Sequence, residues 1–165
     1  MPRAASEEAA AAVAAKGVNV YVVRLPPSVH GTGDHGFVPM LINLAKEKGE
    51  AAYINSGDNV WPAVHRTDAA ALYRLIVEKQ PSLKVLHAVA EEGVPYLHIA
   101  ETIGKGVAIP VLSKSGDAVA AYFGWFSHFA AMHCPASSDE TRRALGWESK
   151  GPGLLTDMVN GGYFA

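Results

Sequence analysis

Residues 18–27 have the sequence Val-Asn-Val-Tyr-Val-Val-Arg-Leu-Pro-Pro. This run is rich in β-branched and apolar side chains and lacks a clean alternation, which predicts a strand covered on both faces, as in a parallel sheet. Pro26 and Pro27 have no amide hydrogen to donate, so we expect the strand to end at Leu25. A helix predicted over residues 6–16 precedes this strand.

Helical and extended patterns alternate along the rest of the chain. We predict further helices over residues 37–48, 67–79, 95–105 and 117–133, with short ones ending at Gly146 and beginning after Gly153. We predict further strands over residues 51–54, 61–66, 85–89 and 107–112, the last at a sheet edge because Pro110 interrupts it, and a loop over residues 28–36. This alternation predicts the α/β class.

The composition narrows the class of protein. The chain has 165 residues, 49% of them apolar and 18% charged, and its formal net charge is −2. This favours one domain with a substantial core. The near-neutral net charge does not indicate a basic surface for nucleic acid, and we expect no nucleic-acid partner. No apolar run is long enough to span a membrane, and we expect no membrane partner. Cys134 is the single cysteine, which argues against a disulfide framework and favours a cytoplasmic location.

Residues 31–36 form a G-x-G-x-x-G sequence, and Asp58 lies 22 residues beyond it, as in dinucleotide-binding turns. We nevertheless expect no dinucleotide here. In the working motif the glycines directly follow a strand, whereas residues 26–30 intervene in this chain. Asp34 adds negative charge where a phosphate would lie, and Pro39 removes an amide. The alternative is a flexible loop whose glycines adopt positive φ.

Three of the seven histidines are candidate ligand-binding residues. His30, His35 and His65 lie at the ends of predicted strands or in the loops after them, where open α/β sheets bind ligands. Neither close pair of histidines has the i, i+4 spacing of a helical zinc site, so we expect no metal. The sequence also lacks the G-x-S-x-G motif of a nucleophilic serine.

Four segments resemble the extended short-chain dehydrogenases/reductases, the NAD-dependent epimerase/dehydratase group. Residues 22–31 (VVRLPPSVHG) are similar to that group's strand and Arg-Pro segment, and residues 64–70 (VHRTDAA) to its Val-His-x-x-Asp-x-Ala element. Residues 94–104 and 141–147 (TRRALGW) resemble two later helical elements. All four occur in the family's order and spacing, and together they indicate an atypical subgroup.

The resemblance implies a partial Rossmann-type α/β sheet carrying a small mixed α/β substrate-binding lobe. Residues 1–165 would form a single unit, the C-terminal part of an NAD(P)-dependent oxidoreductase or epimerase-like protein that acts on a small carbonyl or alcohol. The family's N-terminal Gly-rich half is not recognisable here. None of the six tyrosines is followed by a lysine at the fourth position, so we assign no catalytic residue. The alternatives are an inactive fragment and a ligand-sensing or interaction protein of the same fold.

The resemblance also implies site residues and a mode of association. The residues expected beside the nicotinamide end of NAD or NADP are Leu25, Pro26, Ser28 and Val29. The residues expected to face a small-molecule substrate are His30, Asp34, His35, His65 and Arg66. Arg66 would hold an anionic group through a charge-assisted hydrogen bond. The strand over residues 18–25 lacks its family neighbour, and we expect self-association through that exposed apolar edge.

Overall fold

The computed structural model describes residues 4–165. Its helices are α1 (Ala4–Ala14), α2 (Phe37–Lys48), α3 (Arg66–Lys79), α4 (Tyr96–Val107), α5 (Asp117–Phe123), α6 (Ser127–Ala130), α7 (Asp139–Leu145) and α8 (Leu154–Asn160). Its strands are β1 (Val22–Arg24), β2 (Ser28–His30), β3 (Ala51–Ile54), β4 (Val60–His65), β5 (Val85–His87), β6 (Glu91–Pro95) and β7 (Val111–Lys114). No helix within the described residues is both long and apolar enough to cross a membrane.

The strands form three short sheets. β1 pairs with β5 and β3 pairs with β7, both in parallel. The central sheet has the order β2-β4-β6, with β2 parallel and β6 antiparallel to β4. At least one helix lies in the chain between the two strands of each parallel pair, as parallel pairing requires. The predicted α/β class is therefore confirmed.

The central sheet separates two hydrophobic cores, because successive side chains of a strand point to opposite faces. Trp61 and Ala63 of β4 belong to the larger core, which α2, α4, α8 and the aromatic helices α5 and α6 complete. Val64 belongs to the smaller core, which includes residues of α3, β5 and α7. The register pairs Ser28 with Ala63 and Val29 with Val64. Ser28 therefore shares a face with the larger core, and Val29 with the smaller one.

Several elements differ from the sequence-based expectation. The first strand is only Val22–Arg24, and exposed Leu25 follows it, so the prediction of a long strand covered on both faces is wrong. β2 occupies the start of the stretch that we expected to be a loop, and β6 was not predicted. β7 begins after Pro110, not before it. Gly124, with φ 54°, ends α5 and divides the helix expected over residues 117–133.

The N-terminal edge of the structure is open to solvent. No residue of α1 as described is buried, and its contact with β1 includes a two-bond ion pair between Glu7 and Arg24, with N···O distances of 2.8 and 2.9 Å. Among the described residues, β1 pairs with β5 alone. Val18 and Leu25, which precede and follow β1, expose 54% and 47% of their surface. The self-association expected there remains a prediction.

Candidate functional site

The carboxyl ends of β2 and β4 bring two of the candidate histidines together. His30 is the last residue of β2, His65 is the last residue of β4, and the parallel register makes them direct partners. Their rings meet edge to face with centroids 5.4 Å apart. Because both side chains lie on the same face of the sheet, the strand ends alone place two imidazoles in one location.

His30 is held by a buried carboxylate. Its Nδ1 lies 2.8 Å from Oδ2 of Asp157 on α8, and the two residues expose only 1% and 6% of their surface. A carboxylate accepts, so Nδ1 carries the proton that is donated to Asp157. This leaves Nε2 as the second polar atom of the ring, and it is buried without a hydrogen-bond partner among the described residues.

His65 is oriented by the helix that follows it. Its Nδ1 accepts from the backbone N–H of Thr67 at 3.4 Å and lies 2.6 Å from that residue's hydroxyl, so His65 caps α3. We assign the ring proton to Nε2 from this pattern. The carboxylate of Asp68 accepts hydrogen bonds from the N–H groups of Lys150 and Gly151. It therefore holds the loop that contains these two residues against His65. A Cβ on Gly151 would lie 2.7 Å from the Cβ of His65, which shows how closely the loop packs.

The loop between β2 and α2 packs against the side chains of His65 and Arg66. Gly31 has φ +138°, which L residues with a side chain rarely adopt, and a Cβ there would lie 2.9 Å from the side chain of Arg66. Arg66 donates to the carbonyl of Thr32. Asp34 Oδ1 accepts the N–H of Gly36 at 2.6 Å, at the start of α2. Arg66 and Oδ1 of Asp34 therefore help to fix the loop.

The structure changes the reason for rejecting a dinucleotide at this loop. β2 directly precedes Gly31 and α2 directly follows Gly36, so the expectation that a loop separates strand and glycines is wrong. The carboxylate of Asp34 nevertheless accepts the hydrogen bond of the Gly36 N–H at the start of the helix. A phosphate needs such amides free and is repelled by a neighbouring negative charge. The position thus disfavours a pyrophosphate on electrostatic grounds.

The C-terminal segment completes this region. The Tyr163 hydroxyl accepts the Gly31 N–H at 3.0 Å and lies 3.0 Å from Asp34 Oδ2. Burial, with the neighbouring charges of Asp34 and Asp157, raises the pKa of Tyr163, so its hydroxyl stays protonated at neutral pH. A cavity of about 180 Å³ lies beside it. Its lining residues are Gly31, Gly33, Asp34, Pro39, Gly161, Gly162 and Tyr163.

A second cleft lies at the carboxyl ends of β1 and β5. Leu25 and Pro26, which follow β1, line a mainly apolar cavity of about 280 Å³ together with His87 and Cys134. Burial raises the pKa of the Cys134 thiol. A more polar cavity of about 460 Å³ adjoins it and shares His87, leading to the start of α7. This is the strand end at which open α/β sheets bind ligands.

The structure distributes the predicted site residues over four places. Leu25 and Pro26 line the cleft at the end of β1, whereas Ser28 is buried on the larger-core face and Val29 packs against the smaller core. The residues that converge around the Gly31 loop are His30, His65, Arg66 and Asp34. The side chain of His35 is exposed on the same loop. Among residues 4–165, no group of three or more His, Cys, Asp or Glu side chains is arranged to hold a metal ion.

Sequence reasoning missed Asp157 and Tyr163. They lie 127 and 132 residues from the groups that they contact, His30 and Gly31. A carboxylate and a phenol in the last ten residues give no local pattern for such pairing. Their assignment needed the position of α8 against β2, which only the three-dimensional packing provides.

Two fungal relatives match nearly all of this chain, and no family model matches it. The chain is 49% identical over 164 residues to the uncharacterized protein C2A9.02 of Schizosaccharomyces pombe, covering 99% of this chain and 56% of that protein. It is 44% identical over 156 residues to the uncharacterized protein YLL056C of Saccharomyces cerevisiae, covering 94% and 52%. The chain thus spans about half the length of the curated relatives that it matches.

Solved structures with a similar fold are NAD-dependent epimerase and dehydratase enzymes. A dTDP-glucose 4,6-dehydratase from Streptomyces venezuelae, with NAD and TYD bound, matches with a TM-score of 0.65 at 11% identity, over 90% of this chain and 44% of that one. A UDP-glucose-4-epimerase from Stenotrophomonas maltophila, with bound NAD and formylated UDP-arabinopyranose, matches with a TM-score of 0.63 at 18% identity, over 96% and 51%. At these identities the likeness establishes a Rossmann-like α/β fold.

Proposed function

We propose that this chain forms the substrate-binding part of an NAD(P)-dependent oxidoreductase or epimerase-like protein acting on a small carbonyl or alcohol. The cleft at the carboxyl ends of β1 and β5 is the observation that carries the proposal. A dinucleotide would bring its nicotinamide end to Leu25 and Pro26 there. The substrate would occupy the region of His30, His65 and Arg66, at the ends of the adjacent sheet.

The cleft has the chemistry that a nicotinamide ring requires. Leu25 and Pro26 supply an apolar surface for the ring, and His87 lies on the opposite, β5 side of the opening. The two prolines after Leu25 offer no amide N–H groups, so the backbone there presents carbonyl oxygens that can accept from a carboxamide. When bound, NAD(P) would supply hydride transfer, while the protein would bind and orient the reacting groups.

The rest of the dinucleotide has a weaker site in this chain. The Gly31–Gly36 turn already carries the carboxylate of Asp34, so it cannot hold a pyrophosphate well. The NAD-bound proteins of similar fold are about twice as long as their match to this chain. We therefore propose that the phosphates and adenosine are held by protein outside the matched part.

Isothermal titration calorimetry with NAD⁺ tests this proposal. We expect a Kd weaker than about 100 μM, or about −5.5 kcal/mol, for the chain by itself. Nicotinamide mononucleotide, titrated against ¹⁵N-labelled protein, should shift the amides of Leu25 and His87. Leu25→Asp should abolish these shifts, and Val77→Asp, at a position 74% exposed on α3, should not. Shifts confined to other regions, or unaffected by Leu25→Asp, would remove the cleft from the proposal.

A catalytically inactive fragment or ligand-sensing protein of the same fold is the second candidate. One sequence observation favours it: none of the six tyrosines has a lysine four residues on, so the family's usual acid–base pair is missing. Submicromolar NAD⁺ binding without turnover would support a sensor. Submicromolar binding with turnover of a small alcohol would instead show that this chain is an enzyme in its own right.

A further inference from the structure

The hydroxyl of Tyr163 lies between two polar groups of the Gly31 loop, the Gly31 N–H and Asp34 Oδ2. It accepts the Gly31 N–H at 3.0 Å, lies 3.0 Å from Asp34 Oδ2, and lies 3.4 Å from the Gly31 carbonyl. A hydroxyl has one proton to donate and two lone pairs that accept. The Gly31 N–H and Asp34 Oδ2 therefore present one donor and one acceptor, which a single hydroxyl group can satisfy together.

The phenol reaches this position from a short segment beyond α8. Gly161 donates its N–H to the carbonyl of Asp157 at 2.6 Å, which ends the helix, and Gly162 has φ +81°. These two glycines reverse the chain so that Tyr163 points back at Gly31. Because glycine has the widest choice of backbone conformations, the segment can turn about this point without disturbing α8.

Space for a ligand adjoins the hydroxyl. The cavity of about 180 Å³ is lined by glycines on both sides, so the backbone of the loop and of the C-terminal segment faces it directly. The volume suits a molecule of a few carbon atoms. Beneath the loop, the buried Nε2 of His30 is without a partner among the described residues, so the region holds further unused hydrogen-bonding capacity.

We propose that Gly31 and Asp34 form a hydroxyl-recognition site for a small polyhydroxy compound, and that Tyr163 fills this site from within the chain until a ligand hydroxyl displaces it. The site selects a group that both accepts from the Gly31 N–H and donates to Asp34. The identity of the ligand as a small alcohol rests on the proposed function, whereas the self-occupied site rests on the tyrosine contacts alone.

Two conservative variants and one matched control define the experiment. Tyr163→Phe keeps the ring but removes the competing hydroxyl, and Tyr73→Phe, at a position 45% exposed on α3, is the matched control. Asp34→Asn keeps an oxygen for the Gly36 N–H but replaces the second acceptor by an amide that cannot accept. Glycerol is the probe, and the amide shift of Gly31 in ¹⁵N-labelled protein is the readout, with no dinucleotide present.

We expect Tyr163→Phe to bind glycerol about 2-fold to 12-fold more tightly than the unaltered chain. In the unaltered chain glycerol must displace the tyrosine hydroxyl and break one hydrogen bond of about 0.5–1.5 kcal/mol, whereas the variant has no such bond to break. Tyr73→Phe should match the unaltered chain, and Tyr163→Phe with Asp34→Asn should lose the response. Equal or weaker glycerol binding by Tyr163→Phe would overturn the proposal and leave the tyrosine a purely structural clamp. Since NAD⁺ is absent, a failure of the nicotinamide cleft does not affect this result.

Discussion

Removing the carboxylate of Asp157 should destabilise the fold strongly. His30 and Asp157 expose 1% and 6% of their surface and meet at 2.8 Å, so solvent cannot replace a missing partner. In the Asp157→Ala variant both ring nitrogens of His30 would be buried without a partner, because Nε2 already has none among the described residues. Leaving a buried hydrogen-bond donor without its acceptor costs about 1–3 kcal/mol.

Thermal unfolding followed by circular dichroism measures this loss. For a chain of this size, each kcal/mol lowers Tm by about 2–4 °C, so we expect a fall of about 2–12 °C. Glu148→Ala, at an exposed position, is the control and should change the free energy of unfolding by less than about 0.5 kcal/mol. Urea unfolding at the same pH should give the same difference.

A double variant separates the cost of an orphaned partner from that of the lost pair. Replacing both His30 and Asp157 by leucine removes every polar side-chain atom of this pair, and buried pairs are often replaced by apolar residues at little cost. We therefore expect the double variant to be more stable than Asp157→Ala. If Asp157→Ala lost less than about 1 kcal/mol, α8 would not be docked through this pair and the argument would fail.

Three further expectations follow from other parts of the structure. Val18→Lys, next to the unpaired edge of β1, should lower the sedimentation coefficient of the chain at about 100 μM, and Val77→Lys on α3 should not; a monomeric unaltered chain would contradict edge association. Burial raises the pKa of Tyr122 to about 12, above its ordinary value of 10.0, so the stability that its neutral form provides is complete below pH 10 and declines towards pH 12. Tyr122→Phe should flatten that decline in urea unfolding. Gly151→Ala should cost about 1–3 kcal/mol, because the new methyl group would press on His65; unchanged unfolding would mean that the loop yields.

Local sequence patterns predicted the first and last residues of some helices and strands correctly. Helix α2 and strand β3 have the predicted bounds, because Gly49, with φ 70°, provides a left-handed stop between them. By contrast, β2 contains one apolar residue between two polar ones and is flanked by Pro27 and Gly31, so no window of useful length contains it. β6 has two glutamates, a glycine and a proline, and only Val94 is buried. Tertiary pairing with β4, not propensity, makes both segments strands.

In the candidate site, too, some features follow from local sequence and others depend on tertiary packing. The sequence predicted that His65, at the end of a strand, and His30, in the loop after another strand, lie at one edge of the sheet, because strand ends in α/β proteins meet there. The partners that orient those side chains come from α8 and the segment after it, so their positions depend on how one element docks over the central sheet. Asp157 and Tyr163 bind adjacent residues of β2 and its loop, His30 and Gly31.

These two contacts have a joint consequence for the site. Asp157 fixes α8 on the sheet through a buried pair, and Gly161 and Gly162 then allow the next residue, Tyr163, to return to the loop. The buried contact is costly to break, whereas the partly exposed phenol exchanges one set of hydrogen bonds for another. The anchor and the replaceable group thus lie on one short segment. A ligand can displace the tyrosine from Gly31 while α8 and the oriented imidazole of His30 remain in place.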